Sequence, residues 1–292
     1  MMAADENPAG DQAGHETRNT ILLEAAAAIE KKAGAALDAI RIERAVVGVF
    51  FTGVKLSTGA GGVAYTPPES IDRASTRILR NKPYSFRDAS VREVMHGLAP
   101  HPFAGLMQLA TLNALSVPYF DEYTAEGDAQ SDVSDNAQLF RGRKVCMVGA
   151  ILPLLKKMRS LGVREMLILD KKKETEVDPA LGTRIDPEQA EAALGNCDTA
   201  VLTGATIANG SFPELLRMIP RTSAVVVAGP TAGFLPVPLF ERGVALVGTV
   251  AVTEPDHALD ILSEGGGGYQ LFSTSVRKIN LANEARLREL GM

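Results

Sequence analysis

Residues 144–149 read Lys-Val-Cys-Met-Val-Gly, a short apolar run that ends in a glycine. Comparable runs, rich in residues with high β-propensity, follow at intervals along the chain. They occupy residues 164–170, 198–202, 224–228 and 243–248. Helical patterns separate them, at 186–194, 212–219, 236–242 and 255–264. Strands this uniformly apolar, alternating with helices, predict an α/β domain over residues 141–292, built on a parallel sheet with both faces covered.

Residues 18–120 show a different order of elements. Asn19 is a candidate N-cap for a helix whose apolar stripe runs to Ile40. Two β-rich runs, at 45–51 and 63–65, flank the glycine-rich segment 57–62 and predict a hairpin. Further helices are predicted at 88–97 and 103–116, which gives a smaller α+β domain. A flexible tail is predicted at residues 1–17, and a last helix at about 274–290.

An acidic segment separates the two predicted domains. Six acids and no basic residue occur between residues 121 and 135: Asp121, Glu122, Glu126, Asp128, Asp132 and Asp135. Their spacing lacks the glycine and the ligand positions of a calcium-binding loop. We therefore interpret residues 121–140 as a solvated linker rather than as a cation site.

Composition restricts the class of partner. The chain has 292 residues, a formal net charge of −5 and 46% hydrophobic residues. Such a protein has no basic field to attract nucleic acid or an anionic membrane surface. No apolar run reaches the ~20 residues of a membrane helix, and the N-terminus lacks the pattern of a secretory signal. The two cysteines, Cys146 and Cys197, are expected to be buried thiols, which favours a cytoplasmic location.

The first two loops of the predicted sheet offer an ambiguous site. In an open, Rossmann-like parallel sheet, ligands bind outside the carboxyl ends of the strands. The loop that starts at Gly149 lacks the G-x-G-x-x-G pattern, which disfavours a standard dinucleotide site. Asp170, which ends the next strand, is placed to hold a ribose hydroxyl, although Lys171, Lys172 and Lys173 follow it directly. A charged strand end explains Asp170 equally well.

The next two loops are more informative. Candidate ligand-binding residues in them are Thr203, Gly204, Thr206, Asn209, Gly229, Pro230 and Thr231. Threonine hydroxyls can bond a ligand, and glycine lets the backbone approach it closely. Ser211 and Glu214 have the spacing of a capping box, so the helix that follows would direct its N–H groups at an anion. Plain strand-to-helix turns without a ligand remain the alternative.

Neither a catalytic residue nor a cofactor can be assigned from the sequence. His96 and His101 flank a proline turn, and their spacing matches no zinc motif. No three-ligand zinc set can be read from four histidines and two cysteines. The four glycines at 265–268 are either a flap over the site or a link between two helices.

The combined pattern resembles a known family, named for heavy-metal chelation. The resemblance is carried by residues 203–211, by Gly229-Pro230-Thr231 running on to residues 236–240, by the helix at 108–114 and by the hairpin at 45–65. It covers roughly residues 20–285. The family implies an enolase-N-terminal-like domain followed by a Rossmann-like domain, with a cleft between them. It also implies a role in handling metals or chelators, through condensation or hydrolysis in the synthesis of a pterin-, flavin- or siderophore-like compound.

These observations lead to one main hypothesis and two alternatives. The main hypothesis is a small-molecule site between the domains, formed by the strand-end loops and closed by the hairpin loop that contains Thr58. One alternative is an S-adenosylmethionine- or nucleotide-dependent enzyme that uses Gly149 and Asp170. The other is a non-catalytic carrier of a metal or metal chelate. Because the chain has no tight ligand cluster of its own, any metal is expected to arrive inside an organic chelate. The sequence leaves open whether the chain forms a homodimer.

Overall fold

Ten strands form one sheet in the part of the chain that the computed structural model describes, residues 8–78, 84–124, 132–171 and 178–292. The strands are β1 (Ile42–Val47), β2 (Phe51–Leu56), β3 (Gly61–Tyr65), β4 (Lys144–Val148), β5 (Glu165–Leu169), β6 (Thr183–Ile185), β7 (Thr199–Thr203), β8 (Ala224–Ala228), β9 (Val244–Val252) and β10 (Val276–Ala282). Their order in the sheet is β1-β2-β3-β9-β8-β7-β4-β5-β6, and β10 pairs with β9.

The six strands from β4 to β9 are parallel, which confirms the predicted α/β fold class. Counted from β4 as the first strand, their order is 3-2-1-4-5-6, the order of the doubly wound Rossmann sheet. β4 pairs with both β5 and β7, so the order reverses beside it. The short β6 was not predicted, because three residues with a polar start do not stand out as an apolar run.

The predicted helix at 274–290 is wrong over its first half. Residues Val276–Ala282 form β10, which pairs antiparallel with β9 along its whole length. Only Glu284–Glu289 is helical. Ile279 and Leu281 are buried in the core. The pairing of this segment with β9 and the burial of these side chains outweigh any local preference for a helix.

The predicted hairpin is a three-stranded antiparallel meander. The apolar run at 45–51 is divided between β1 and β2 by a turn at residues 48–50. Gly48 is required in that turn, because a Cβ there would lie 2.7 Å from the carbonyl oxygens of Leu262 and Phe51. β3 continues the sheet through the pair Gly61–Val252, so the meander and the parallel strands share one sheet.

The helices mostly follow the predicted pattern. Their bounds are α1 (Pro8–Ala33), α2 (Pro68–Ile78), α3 (Val91–Met95), α4 (Ala104–Ser116), α5 (Leu152–Ser160), α6 (Ala190–Gly195), α7 (Ala205–Ala208), α8 (Phe212–Arg217), α9 (Val237–Phe240), α10 (Pro255–Ser263), α11 (Gly268–Thr274) and α12 (Glu284–Glu289). Because α1 begins at Pro8, Asn19 lies inside it and is not its N-cap, and residues 8–17 of the predicted tail are helical. Residues 1–7 lie outside the described part. Among the described helices, none combines the length and apolar character needed to cross a membrane.

Alternation along the strands divides the core between the two faces of the sheet. Val145 and Met147 of β4 pack on one side, with α5 and α12. Cys146 and Val148 point to the other side, which α1, α4, α6 and α8 cover. The two covered faces explain why these strands are apolar at every position.

Both thiols are expected to be unreactive in the folded protein. Cys146 and Cys197 are buried, and burial raises the pKa of Cys146 to about 12 and that of Cys197 to about 11. Since the thiolate is the reactive species, neither should be labelled by a thiol reagent at pH 8 until the chain unfolds. Absorbance at 412 nm with dithiobisnitrobenzoate, with and without guanidinium, measures this. Rapid labelling of the native protein would contradict the expectation.

Candidate functional site

A cavity of about 670 Å³ lies at the carboxyl ends of the parallel strands, and we call it the strand-end cavity. The loops after β4 and β8, the middle of β9, β10, α11 and the open end of the β2–β3 hairpin surround it. The lining residues are Phe51, Tyr65, Asp132, Val133, Ala150, Ile151, Leu152, Pro153, Leu154, Ala228, Gly229, Gly248, Thr249, Val250, Gly268, Tyr269, Phe272, Lys278, Ile279 and Asn280. Both halves of the sheet therefore contribute to its walls.

Aromatic rings are concentrated at this cavity. The chain has ten phenylalanines, five tyrosines and no tryptophan, and four of these rings line the cavity. Phe51 and Tyr65 meet edge to face with centroids 6.2 Å apart. In α11, Tyr269 is 76% exposed and Phe272 is 40% exposed. Exposed rings beside a cavity provide flat apolar surfaces on which a ligand ring can stack.

One polar cluster lies among these apolar walls. The carboxylate of Asp132 pairs with the ammonium groups of Lys278 and, at 3.0 Å, Lys157. It also accepts hydrogen bonds from the N–H and the hydroxyl of Ser134, at 3.2 and 2.9 Å. The Lys278 ammonium lies 5.5 Å from the centre of the Phe272 ring. Asp132 and Lys278 line the cavity, whereas Lys157 pairs with the Asp132 carboxylate without lining it. The three side chains together carry one net positive charge.

Asp132 remains ionised because its partners outweigh its burial. Burial by itself raises the pKa of this carboxyl. The hydrogen bonds from Lys278, the Ser134 N–H and Lys157 lower the pKa by more than burial raises it. The net result is a pKa well below the ordinary range. Asp132 is thus an anchored residue of the cavity wall, not a free acid in a solvated linker, although Glu126 and Asp128 of the same segment lie outside the described residues.

The point where the strand order reverses is filled by protein atoms. Gly149 directly follows β4 with φ +84°, and a Cβ there would lie 2.5 Å from Thr203 Cγ2 of the neighbouring strand. The carboxylate of Asp170 accepts a hydrogen bond of 2.8 Å from the N–H of Ala150. Asp170 therefore fastens the first loop to the end of β5. Lys172 and Lys173 are outside the described residues. Gly149 borders the strand-end cavity without lining it.

The loop after β7 makes contacts within the protein. Gly204 donates its N–H to the Ala228 carbonyl at 2.8 Å, and a Cβ there would lie 3.1 Å from Thr231 Cβ. Its small size therefore admits the neighbouring loop rather than a ligand. The Thr206 hydroxyl donates to the Thr203 carbonyl at 2.7 Å. Thr203, Gly204 and Thr206 do not line the strand-end cavity.

The predicted capping box at Ser211 is wrong. Ser211 makes no cap hydrogen bond to α8, and its hydroxyl donates to the side chain of Asn209 at 2.8 Å. Asn209 also accepts the Ser211 N–H at 3.0 Å, so it stabilises a local turn. The backbone of Ser211 is helical, with φ −82° and ψ −12°, whereas a capping residue needs an extended conformation.

The loop after β8 joins the meander to the parallel strands. The Thr231 hydroxyl accepts the N–H of Tyr65 at 2.9 Å. Asn113 of α4 donates its side-chain amide to the carbonyls of Val63, Pro230 and Thr231, at 2.7, 3.1 and 3.3 Å. Of the predicted ligand-binding residues, only Gly229 lines the cavity, while Pro230 and Thr231 hold its two walls together.

The turn that contains Thr58 lies away from the cavity. Phe51 and Tyr65, which line the cavity, are paired at the open end of the β2–β3 hairpin, whereas Thr58 lies in the turn at the other end. A strand of five residues spans about 17 Å, so this turn cannot close over the cavity in this arrangement. The glycines at 265–268 instead connect α10 to α11, which carries Tyr269 and Phe272.

The residues that sequence reasoning missed are the cavity's rings and its charges. Phe51, Tyr65, Tyr269 and Phe272 come from three separate segments, and Lys278 is 146 residues from Asp132. A concentration of scarce aromatic residues next to glycines, as in 267–272, was a local signal. No local signal pairs Asp132 with Lys278.

The donor set does not fit a bare heavy-metal ion. Within the described ranges, no group of three or more His, Cys, Asp or Glu residues is placed to hold a metal. His96 Nε2 lies 3.1 Å from Glu30 Oε1, whereas the His101 ring meets the Phe86 ring edge to face, with centroids 4.9 Å apart. Soft metals prefer thiolate or imidazole ligands, and the cavity wall offers neither.

Comparison with known proteins identifies two family models that match the chain. Both are described as "Putative heavy-metal chelation": DUF364 matches residues 132–281, and DUF4213 matches residues 30–116. A comparison with curated proteins gives no match.

Two solved structures are similar to the chain over nearly their whole length. A DUF364-family protein of unknown function from Pyrococcus horikoshii has a TM-score of 0.67 and 18% identity, covering 90% of this chain and 99% of its own. Another from Desulfitobacterium hafniense DCB-2 has a TM-score of 0.62 and 17% identity, covering 87% of this chain and 98% of its own. These similarities establish the fold.

Proposed function

The chain belongs to the DUF364 family, whose model is described as "Putative heavy-metal chelation", and we propose that it binds an aromatic organic anion, free or as a metal chelate, in the strand-end cavity. The observation that carries the proposal is the gathering of four aromatic rings around a cavity that the Lys278 ammonium also lines. A metal ion would then be cargo held by the ligand, not by the protein.

The size and surface of the cavity support this class of ligand. Its volume of about 670 Å³ falls in the range of small-molecule sites, roughly 300–1,000 Å³. Its walls are mainly apolar, with few polar groups to orient a ligand. The rings of Phe272 and Tyr269 would stack on a flat ligand, and the ammonium of Lys278 would pair with its carboxylate or phenolate.

The position of the cavity supports the site predicted between two domains. Phe51 and Tyr65 belong to the N-terminal meander, and the remaining lining residues belong to the C-terminal part of the chain. A ligand there would contact both parts at once, so its binding would stabilise their association.

A thermal-shift screen tests the proposal. The probes are 2,3-dihydroxybenzoate, its iron(III) complex, pterin-6-carboxylate, S-adenosylmethionine and zinc chloride. We expect an aromatic anion or its complex to raise Tm, because a ligand at 100 times its Kd adds about 2.7 kcal/mol of stability. A shift with zinc chloride alone would contradict the proposal, and a shift with S-adenosylmethionine alone would favour a cofactor-dependent enzyme.

Lys278→Gln then locates the binding site of the compound that raises Tm. Loss of one charge-assisted hydrogen bond, worth roughly 1.5–3 kcal/mol, should weaken binding at least tenfold in calorimetric titration. Lys156→Gln is the matched control, since Lys156 is an exposed lysine of α5 that does not line the cavity. Equal affinity in both variants would place the ligand elsewhere.

A further inference from the structure

A second, smaller cavity of about 300 Å³ lies on the outer side of β1, the edge strand of the sheet. We call it the edge cavity. Its polar lining residues are Arg44, Ser85, Arg87 and His101, and its apolar lining includes the buried side chains of Phe86 and Met107. None of the described residues that line it is acidic, although the chain as a whole is acidic.

The two arginines of the edge cavity differ in their partners. Arg44 pairs with Asp260, with Nη2 2.8 Å from Oδ1. Arg87 donates its Nε to the Glu43 carbonyl at 3.4 Å, and among the described residues no carboxylate pairs with its guanidinium. Arg87 therefore presents a full positive charge and the remaining donors of its planar fork to the cavity.

Two neutral groups add hydrogen-bond donors. The Ser85 oxygen accepts the N–H of Arg87 at 3.2 Å, which leaves the hydroxyl hydrogen for another acceptor. Nδ1 of His101 accepts the N–H of Phe103 at 3.3 Å, so in the neutral ring the hydrogen is on Nε2 and can be donated. The ring is held in place by Phe86, whose centroid is 4.9 Å away.

From this arrangement we propose that the edge cavity binds a small organic oxyanion, a carboxylate or phosphate group attached to a short apolar part. The Arg87 guanidinium would form a paired hydrogen bond with two oxygens of the anion, the geometry in which arginine is strongest. Ser85 and His101 would donate to its remaining oxygens. Phe86 and Met107 would contact the apolar part, which distinguishes this ligand from a bare inorganic ion. The site is independent of the strand-end cavity.

The test uses the full chain and three probes: phenyl phosphate, benzoate and inorganic phosphate. The chain has only four histidines, so the ring resonances of His101 can be followed by NMR during a titration. We expect a saturable shift of the His101 resonances with phenyl phosphate or benzoate, and binding at least tenfold weaker with inorganic phosphate. The better of the two organic probes identifies the acid group.

Arg87→Gln should weaken binding of that probe at least tenfold without changing Tm, because Arg87 is exposed. Arg217→Gln is the matched control, an exposed arginine at the end of α8 that should leave affinity unchanged. Lys278→Gln should also leave it unchanged. Equal affinity in Arg87→Gln, or loss of binding in Lys278→Gln instead, would overturn the proposal, the second result by moving the anion to the strand-end cavity.

Discussion

Replacing Gly149 by alanine is expected to lower the free energy of unfolding by about 2–5 kcal/mol, from two separate costs. Gly149 has φ +84°, where a non-glycine residue loses about 1–2 kcal/mol. In addition, the new Cβ would lie 2.5 Å from Thr203 Cγ2, and such overpacking costs about 1–3 kcal/mol. Chemical denaturation followed by circular dichroism measures the sum.

Two further variants separate the costs. Gly162 has φ +79° with no heavy atom within 4 Å of its Cβ position, so Gly162→Ala should show the backbone cost alone. Thr203→Ser removes the clashing methyl group. We expect its effect on the free energy of unfolding to be about 1–3 kcal/mol more favourable in the Gly149→Ala protein than in the wild-type protein. An equal loss in the free energy of unfolding for Gly149→Ala and Gly162→Ala would show that the contact with Thr203 adds no measurable cost.

Asp132→Asn is expected to lower the free energy of unfolding by about 2–4 kcal/mol at pH 7. The Asp132 side chain is only 14% exposed, and its loss of charge leaves Lys157 and Lys278 close together without their shared counterion. Breaking a fully buried pair from one side costs about 3–5 kcal/mol. The expected loss is smaller here, because the Lys157 and Lys278 side chains are 49% and 45% exposed and the contact with Ser134 remains. Glu289→Gln, in an exposed pair with Arg286, should change stability by less than about 1 kcal/mol.

The loss in Asp132→Asn should depend on pH with a definite sign. Asp132 has a lowered pKa in the folded protein, and an unfolded aspartate titrates near 3.9. The stability that it contributes is therefore present above about pH 4 and is lost as the pH falls further, through the folded pKa. The difference between the two proteins should be constant from pH 7 to 5 and shrink towards pH 3. A difference that did not change over this range would exclude Asp132 as the titrating group.

The fold class follows from the sequence because its signals are local. Residues 144–149 and the comparable runs after them are apolar at every position, as strands buried on both faces must be, and the helices between them show their own period. The predicted elements were wrong where pairing between distant strands or a close contact outweighed the local sequence pattern. Val276–Ala282 gained seven residues of ladder with β9 and became a strand, and Gly48 divided one predicted strand into two because no side chain fits there.

The candidate site was only partly predictable. The sequence predicted a site at the carboxyl ends of the parallel strands, where the strand-end cavity lies, and Gly229 is the predicted residue that lines it. The loop after β7 is rich in glycine and threonine, a composition that is common in ligand-binding loops. Hydroxyls and small residues also serve close packing between loops, however, and the contacts of Gly204 and Thr206 are of that kind.

The sequence by itself determined the parallel sheet, the order of its main helices and the burial of both cysteines, because each depends on residue type and spacing within a short segment. The tertiary structure alone decided which strand-end residues face a cavity. It placed Asp132 against Lys278, and it brought Phe51, Tyr65, Tyr269 and Phe272 together around one cavity. These residues are far apart in the chain, and the pairing of β3 and β10 with β9 in one sheet, not any local preference, brings their segments together.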